Sequence, residues 1–253
     1  MTASSRTIII TGAASGIGAA TARRLAGPDI RLLLHTRRNR ASLETVAEAV
    51  RAAGARAELV LGDLADPATA EAVTGTARDR FGRIDQIVSN AGKAKLSSFA
   101  ALEEADLDEA FSAMPKAFAR LARLALPDLV ASSQARVVAI SSFVAHSHLT
   151  AGLTFPATAA AKAALESLAR SLAVELAASG GTANVVVPGF TRKDNGGHAA
   201  TPSSTYAAST REIPLGRFAE PADIAAAVAY LLSAEAGHVT GETLHVNGGL
   251  LLR

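Results

Sequence analysis

A glycine-rich segment near the start of the chain has the residue types that bind a phosphate group. Residues 11–18 read Thr-Gly-Ala-Ala-Ser-Gly-Ile-Gly, between an apolar run at residues 7–10 and a helix-like run. Gly12 permits a tight turn, Gly16 lets the backbone approach a ligand, and Gly18 removes a side chain where helix packs on strand. The amides at the start of the helix then face the anion. The segment predicts a dinucleotide site that includes Gly12, Ser15, Gly16, Ile17 and Gly18.

The glycine spacing, G-x3-G-x-G, differs from the G-x-G-x-x-G pattern of many dinucleotide sites. A glycine-rich turn that only connects two elements is the alternative. The neighbouring runs favour a nucleotide site, because a strand-like run precedes the segment, a helix-like run follows it and a second strand-like run occupies residues 30–35.

Basic residues follow that second strand-like run. Arg37, Arg38 and Arg40 stand where an NAD-dependent enzyme normally places an acid to hold the ribose 2′-hydroxyl. An acid would repel a 2′-phosphate, whereas the planar guanidinium of arginine binds phosphate through two hydrogen bonds. A basic run at a helix N-terminus also opposes the helix dipole unless an anion compensates it. A solvated basic surface is the alternative; we predict NADP(H) rather than NAD(H), with Arg37 and Arg38 at the 2′-phosphate.

The elements that position these residues alternate between short β-branched runs and longer amphipathic runs. This alternation, with several strands apolar throughout, is typical of an α/β fold in which helices cover both faces of a parallel sheet. We predict strands at residues 6–11, 30–35, 56–61, 84–89, 135–141, 182–187 and 243–246, and helices at 16–26, 40–53, 67–82, 104–130, 157–178 and 221–234. The result is a single Rossmann-like domain over residues 1–253, a doubly wound parallel sheet of about seven strands with ligands beyond their carboxyl ends.

Two segments interrupt the regular pattern. Residues 190–213 are rich in Gly, Ser, Thr and His, and an irregular loop of this length predicts a lid over the substrate. Pro115 lies inside the predicted helix 104–130, where it removes a backbone hydrogen bond and is expected to kink the helix.

Composition limits the classes of function. A chain of 253 residues with 49% hydrophobic residues and a mean hydropathy of +0.24 can bury a large core. The absence of cysteine suits a reducing compartment, and no signal-like or membrane-spanning run is present, so we expect a cytoplasmic protein without a membrane partner. A net charge of +2 and an aromatic content of 4% indicate no nucleic-acid partner.

Further motifs recur in order along the chain and resemble those of the short-chain dehydrogenase/reductase family. They are Thr11 to Gly18, Asp63-Leu64, Asn90-Ala91-Gly92, Ile140-Ser141-Ser142, Lys162-Ala163-Ala164-Leu165, Val187-Pro188-Gly189, Ile213-Pro214-Leu215-Gly216-Arg217 and Val246-Asn247-Gly248-Gly249. The resemblance implies that Asp63 and Leu64 lie beside the adenine and that Lys162 holds the nicotinamide ribose. It also implies cofactor contacts from Asn90, Ala91, Gly92, Pro188, Gly189 and Thr191. Relatives commonly assemble as dimers or tetramers, so we expect a homo-oligomer.

Family members usually act through a Ser, a Tyr, a Lys four residues after the Tyr, and an Asn in the fourth long helix. By this resemblance Ser142 matches the Ser and Lys162 the Lys, but Thr158 stands at the Tyr position and Met114 at the Asn position. A positioned general acid contributes about 10²–10⁴-fold to the rate, and an alcohol ionises far above the phenol pKa of about 10. We therefore expect a non-standard active site.

Other residues offer a substitute proton donor or a pocket wall. His146 has a side-chain type that titrates near neutrality, and Thr158 is the other candidate donor. His146 and His148 are two residues apart, but no third ligand is indicated, so we predict no metal site. Phe155 lies seven residues before Lys162, the separation at which divergent enoyl-thioester reductases of the superfamily carry their Tyr. The predicted substrate pocket consists of Phe143, Phe155, Phe190 and Tyr206.

These residues predict an NADPH-dependent oxidoreductase that transfers hydride to a conjugated C=C, an imine or an activated carbonyl of a small molecule. One alternative is a protein that binds NADP(H) as a ligand or sensor and has lost catalysis. The other is an ordinary 3-oxoacyl or ketone reductase with a substitute proton donor.

Overall fold

Parallel strands form the centre of the molecule. The structure is a computed structural model that describes residues 5–148, 153–192 and 209–252. Within these residues seven strands pair in the order β3-β2-β1-β4-β5-β6-β7, and every pair is parallel. The strands are β1 (Arg6–Thr11), β2 (Ile30–Thr36), β3 (Arg56–Leu61), β4 (Gln86–Ser89), β5 (Arg136–Ile140), β6 (Thr182–Pro188) and β7 (Thr243–Val246). The predicted α/β doubly wound parallel sheet is confirmed.

Helices cover both faces of the sheet. They are α1 (Gly16–Leu25), α2 (Arg40–Ala52), α3 (Pro67–Phe81), α4 (Glu104–Ala113), α5 (Pro115–Ala131), α6 (Pro156–Ala177) and α7 (Pro221–Leu231). Because side chains alternate along a strand, Ile9 packs with α3, α5 and α6 on one face while Ile8 and Ile10 pack with α1, α2 and α7 on the other. Both faces of β1 and β2 are buried, which explains their continuous apolar runs.

Pro115 has a larger effect than the sequence indicated. The single kinked helix expected over residues 104–130 is instead two helices, α4 and α5, separated at Met114. Met114 has φ −118° and ψ −82°, outside the helical region, and Pro115 is the first residue of α5. A proline is tolerated there because the first helical N–H has no partner within the helix. The correction is therefore a complete helix break rather than a bend.

The order of the strands places a crevice at one edge of the sheet. The chain runs outward from β1 through β2 to β3, then returns so that β4 pairs with the other side of β1. At this reversal the loops after β1 and β4 diverge and leave space for a ligand beyond the carboxyl ends of the strands. None of the described helices combines the length and apolar character that crossing a bilayer requires.

Candidate functional site

The glycine-rich loop is tied to the end of β4 by paired hydrogen bonds. The Asn90 side-chain amide donates to the carbonyl oxygens of Thr11 at 3.0 Å and Gly12 at 3.1 Å. In return the Thr11 hydroxyl oxygen accepts from the backbone amides of Asn90 at 2.9 Å and Ala91 at 3.0 Å. These contacts fix the loop across the crevice between β1 and β4.

The three glycines of this loop meet different constraints. Gly12 has φ +67° and Gly16 has φ +54°, both in the left-handed region that favours glycine. A Cβ at Gly16 would meet nothing within 4 Å, so the backbone there borders open space. A Cβ at Gly18 would lie 2.3 Å from the Gly12 carbonyl oxygen and 2.7 Å from Asn90 Nδ2. Gly18 therefore packs closely against the glycine loop and Asn90.

An ion pair between Arg37 and Asp63 links the segments that follow two neighbouring strands. Arg37 follows β2, Asp63 follows β3, and their side chains form an ion pair of 3.5 Å in which each is about half exposed. Arg38 is exposed beside them. Arg40 instead forms an ion pair with Glu44 one turn along α2. The guanidinium of Arg37 thus stands at the rim of the crevice, one strand away from the glycine loop.

Arg120, which the sequence analysis did not identify, holds the loop after β3. Its guanidinium donates from α5 to the carbonyl oxygens of Leu64 at 3.2 Å and Ala65 at 3.0 Å. The side chain of Leu64 is buried. A contact between residues 56 positions apart leaves no local signal in the sequence. The motif around Asp63 can therefore be recognised from the sequence, whereas the contribution of Arg120 cannot.

Lys162 lies on α6 with its amine inside the protein. The residue is 7% exposed, and Nζ donates to the Ile140 carbonyl oxygen at 2.6 Å. A Cβ at Gly92 would come within 3.3 Å of this Nζ and 3.1 Å of the Met114 sulfur, so the amine and the thioether share one small space. Burial lowers the pKa of Lys162 to about 8, while the nearby carboxylate of Glu166 acts in the opposite direction.

Thr158 lies one helical turn before Lys162 and is 2% exposed. Its hydroxyl oxygen accepts a 3.0 Å hydrogen bond from the backbone amide of Lys95, in the loop after β4. The Lys95 side chain forms an ion pair with Asp106 on α4. Thr154 reinforces the same contact, because its hydroxyl donates to the Ser97 carbonyl oxygen at 2.7 Å. The Thr158 hydroxyl therefore holds a loop against α6.

Ser142 and His146 lie at opposite ends of a short turn after β5. The Ser142 hydroxyl caps the 3-10 turn Phe143–Ala145 and is 3.5 Å from the Val144 amide. His146 Nε2 is 2.9 Å from Oε1 of Glu166, and its ring packs edge-on against His245 with centroids 4.7 Å apart. Burial is the main reason that the pKa of His245 is lowered, with the charge of His146 as the second cause.

An apolar cavity of about 290 Å³ lies beside this turn. Phe143 and Phe155, two residues of the predicted substrate pocket, line it. Phe190 stands behind Phe143, with ring centroids 4.6 Å apart, and stacks on Phe218. Tyr206, the fourth, lies outside the described residues, as does most of the predicted lid. The lining is formed by Phe99, Phe143, Val144, Ser147, His148, Leu153, Thr154, Phe155, Pro156 and Ala159.

The segment after β6 is held against the end of β7. The Gly189 amide donates to the Val246 carbonyl oxygen at 3.1 Å, and the Thr191 hydroxyl donates to the Gly189 carbonyl oxygen at 3.1 Å. A Cβ at Gly189 would lie 2.8 Å from Cα of Asn247, so only glycine fits at this position. Pro188 is buried as the last residue of β6.

Comparisons with known proteins agree with this architecture. A family model described as "Enoyl-(Acyl carrier protein) reductase" matches residues 12–251. The chain is 33% identical over 253 residues to the oxidoreductase UcpA of Escherichia coli O157:H7, covering 98% of this chain and 95% of that protein. It is 33% identical over 246 residues to the 3-oxoacyl-[acyl-carrier-protein] reductase FabG of Escherichia coli K12, covering 96% of each.

Solved structures match over nearly the whole chain. A short-chain dehydrogenase from Burkholderia cenocepacia J2315 in complex with NADP superimposes with a TM-score of 0.89 at 26% identity and covers 98% of both chains. The L-sorbose reductase of Gluconobacter frateurii, complexed with NADPH and L-sorbose, has a TM-score of 0.88 at 26% identity and covers 99% of this chain and 98% of that one.

Proposed function

Because the chain belongs to the short-chain dehydrogenase/reductase family of oxidoreductases, we propose that it uses NADPH to reduce a conjugated C=C, an imine or an activated carbonyl of a small apolar molecule. By the family resemblance Thr158 corresponds to the Tyr position, and one observation supports the proposal: the Thr158 hydroxyl, one turn before the buried Lys162, accepts from the Lys95 amide. Substrates that delocalise negative charge, or already carry positive charge, depend less on a strong proton donor at oxygen.

The surroundings of Lys162 support the same proposal. By the family resemblance Met114 corresponds to the Asn position, and its sulfur and the Lys162 amine both lie close to Gly92. A thioether is a weak hydrogen-bond acceptor and has no hydrogen to donate, so it binds the water that an asparagine would hold only weakly. On these two assignments, the proton relay that suits ketone reduction lacks two of its usual groups.

The remaining groups have separate roles in the proposed reaction. NADPH supplies the hydride when it is bound. Ser142 donates a hydrogen bond to the substrate oxygen, and the Lys162 ammonium orients the ribose and adds positive charge near the reacting atoms. The proton reaches the substrate from water through Thr158 or Lys162, with His146 as the third candidate.

The cavity indicates the chemical class of the substrate. Its walls include three phenylalanines and the aliphatic Leu153, whereas its polar groups are the side chains of Ser147, His148 and Thr154. Apolar walls with few polar groups favour an aryl or hydrocarbon substrate with one polar function over a sugar or a phosphate ester. We propose that the polar function faces Ser142.

The cofactor fits the geometry of the described residues. The open space at Gly16 leaves room for a pyrophosphate at the N-terminus of α1, where helix amides attract an anion. The Arg37 guanidinium follows β2, the strand next to β1, and Arg38 is its neighbour in the chain. Two structural relatives that contain NADP or NADPH support the same preference.

Replacing Arg37 by alanine is expected to weaken NADPH binding roughly 10- to 100-fold, because a charged hydrogen bond to phosphate contributes about 1.5–3 kcal/mol. NADH, which lacks the 2′-phosphate, should change less than about 3-fold. Fluorescence titration of both dinucleotides measures the two constants. Arg24→Ala, which removes an exposed charge from α1, is the control. Equal losses for NADPH and NADH in Arg37→Ala would contradict the assignment.

The proposed reaction is tested by NADPH oxidation with three matched substrates: benzylideneacetone, its saturated ketone benzylacetone, and dihydroisoquinoline. Turnover of the enone or the imine, with little of the saturated ketone, is the expected result. Faster reduction of the saturated ketone would instead identify a ketone reductase with a substitute proton donor, the reaction class that similarity to 3-oxoacyl reductases favours. Tight NADPH binding with no turnover would identify an NADP(H)-binding or sensor protein.

A further inference from the structure

A buried carboxylate with no part in the proposed reaction lies behind the turn that carries Ser142. Glu166 is 3% exposed on α6, one helical turn after Lys162. Burying a carboxylate is costly unless hydrogen bonds compensate it. The contacts that compensate it come from groups before and after Ser142 in the chain.

Both ends of the Ser142 turn bind the same oxygen atom. The Ser141 hydroxyl donates to Oε1 of Glu166 at 2.5 Å, and His146 Nε2 is 2.9 Å from that same Oε1. In the tautomer that carries the ring proton on Nε2, His146 donates to the Glu166 oxygen that also accepts from Ser141. Ser142 and the 3-10 turn Phe143–Ala145 lie between these two attachments.

The carboxylate is itself held in place from the outer side. Arg170, one turn further along α6, is 3.4 Å from Oε2 of Glu166 and 3.3 Å from the Thr243 hydroxyl. His245, on β7, packs against the ring of His146. Lys162 contributes positive charge from the active-site side. Glu166 therefore joins α6 to both ends of the turn after β5, and its partners Arg170 and His146 contact β7.

We propose that Glu166 is a positioning residue that fixes Ser142 by holding both ends of the turn on which Ser142 lies. The role of Ser142 toward the substrate rests on the function proposed above, whereas the attachment of the turn does not. In this arrangement His146 acts through its contact with Glu166. A carboxylate that only neutralised Lys162 would not need both attachments.

Two variants separate positioning from charge. Glu166→Ala removes the shared oxygen and is expected to lower kcat roughly 10- to 100-fold, the loss that a displacement of about 1 Å produces. Glu166→Gln keeps an acceptor oxygen and should stay within about 3-fold of the unchanged protein. NADPH affinity should fall less in both than in Arg37→Ala, because the glycine loop and Arg37 do not contact Glu166 and only the ribose contact of Lys162 lies near it. Glu175→Ala, an exposed glutamate on the same helix, is the control.

A second measurement does not depend on catalysis. Hydrogen exchange of a peptide spanning residues 141–148 reports on the backbone bonds from Ala145 to Ser142 and from His146 to Phe143. Exchange should be faster in Glu166→Ala and unchanged in Glu166→Gln and Glu175→Ala. If no substrate is turned over, this result still tests the attachment, and only the proposed reaction fails.

Ser141→Ala and His146→Ala cover the case in which Glu166→Ala does not fold. Each removes one attachment and should give a smaller increase in exchange, while the double variant should reproduce the loss of the shared oxygen. Unchanged exchange and kcat in the double variant would overturn the proposal. So would equal losses in Glu166→Gln and Glu166→Ala, because that outcome assigns the effect to charge alone.

Discussion

The Gly18→Ala variant is expected to be less stable than the unchanged protein and to bind NADPH more weakly. The new methyl group would lie 2.3 Å from the Gly12 carbonyl oxygen and 2.7 Å from the Asn90 side chain, so the glycine loop or α1 must move. Overpacking of this kind costs about 1–3 kcal/mol, and each kcal/mol lowers the Tm of a chain this long by roughly 2–4 °C. The loop that moves is the one we propose holds the pyrophosphate, so NADPH affinity should fall at least about 10-fold.

Gly75→Ala provides a control with the opposite sign. Gly75 lies in the middle of α3, and a Cβ there would meet nothing within 4 Å. Alanine in a helix interior is about 0.5–1 kcal/mol more favourable than glycine, so this variant should be slightly more stable and bind NADPH normally. Thermal unfolding and NADPH titration of both variants make the comparison. Normal NADPH affinity in Gly18→Ala would show that the loop tolerates the displacement.

The fold could be predicted from the sequence because its signals are local. The apolar runs at β1 and β2 need no partner to be recognised, since strands buried on both faces are apolar throughout. The effect of Pro115 was predicted only in part. A proline marks a disturbed helix, but whether the helix bends or stops depends on the backbone of Met114, which the packing of α4 and α5 determines.

The candidate site could be predicted only where a motif carried it. The hydrogen bonds of Thr158 with Lys95 and of Glu166 with Ser141 join residues 63 and 25 positions apart, and each depends on how α6 packs against loops from other strands. Neither contact has a spacing that marks it in the sequence. Thr158 is therefore recognisable in the sequence as a departure from a motif, whereas its hydrogen bond with the Lys95 amide depends on the folded structure.

Lys162→Met is expected to abolish most of the activity. Methionine nearly fills the volume of the lysine side chain but removes its charge and its hydrogen bond to the Ile140 carbonyl oxygen. If the ammonium orients the ribose and supports proton transfer, kcat should fall roughly 10²- to 10⁴-fold. Because burial lowers the pKa of Lys162 to about 8, the unchanged protein should lose activity as the pH rises above that value. Steady-state rates of both proteins across this range measure the effect.

The same pKa predicts how stability depends on pH. The pKa of Lys162 is about 8 in the folded protein and near its ordinary value of 10.5 in the unfolded chain, so between these values the unfolded chain binds more protons. The free energy of unfolding of the unchanged protein, relative to Lys162→Met, should therefore rise by about 3 kcal/mol across that interval and stay level below it. Urea unfolding of both proteins at several pH values gives this difference, with Lys116→Met on the exposed side of α5 as the control. A difference in unfolding free energy that does not vary with pH would mean that the Lys162 amine titrates at its ordinary pKa in the folded protein. That result would contradict a role for this amine as a proton donor with a lowered pKa.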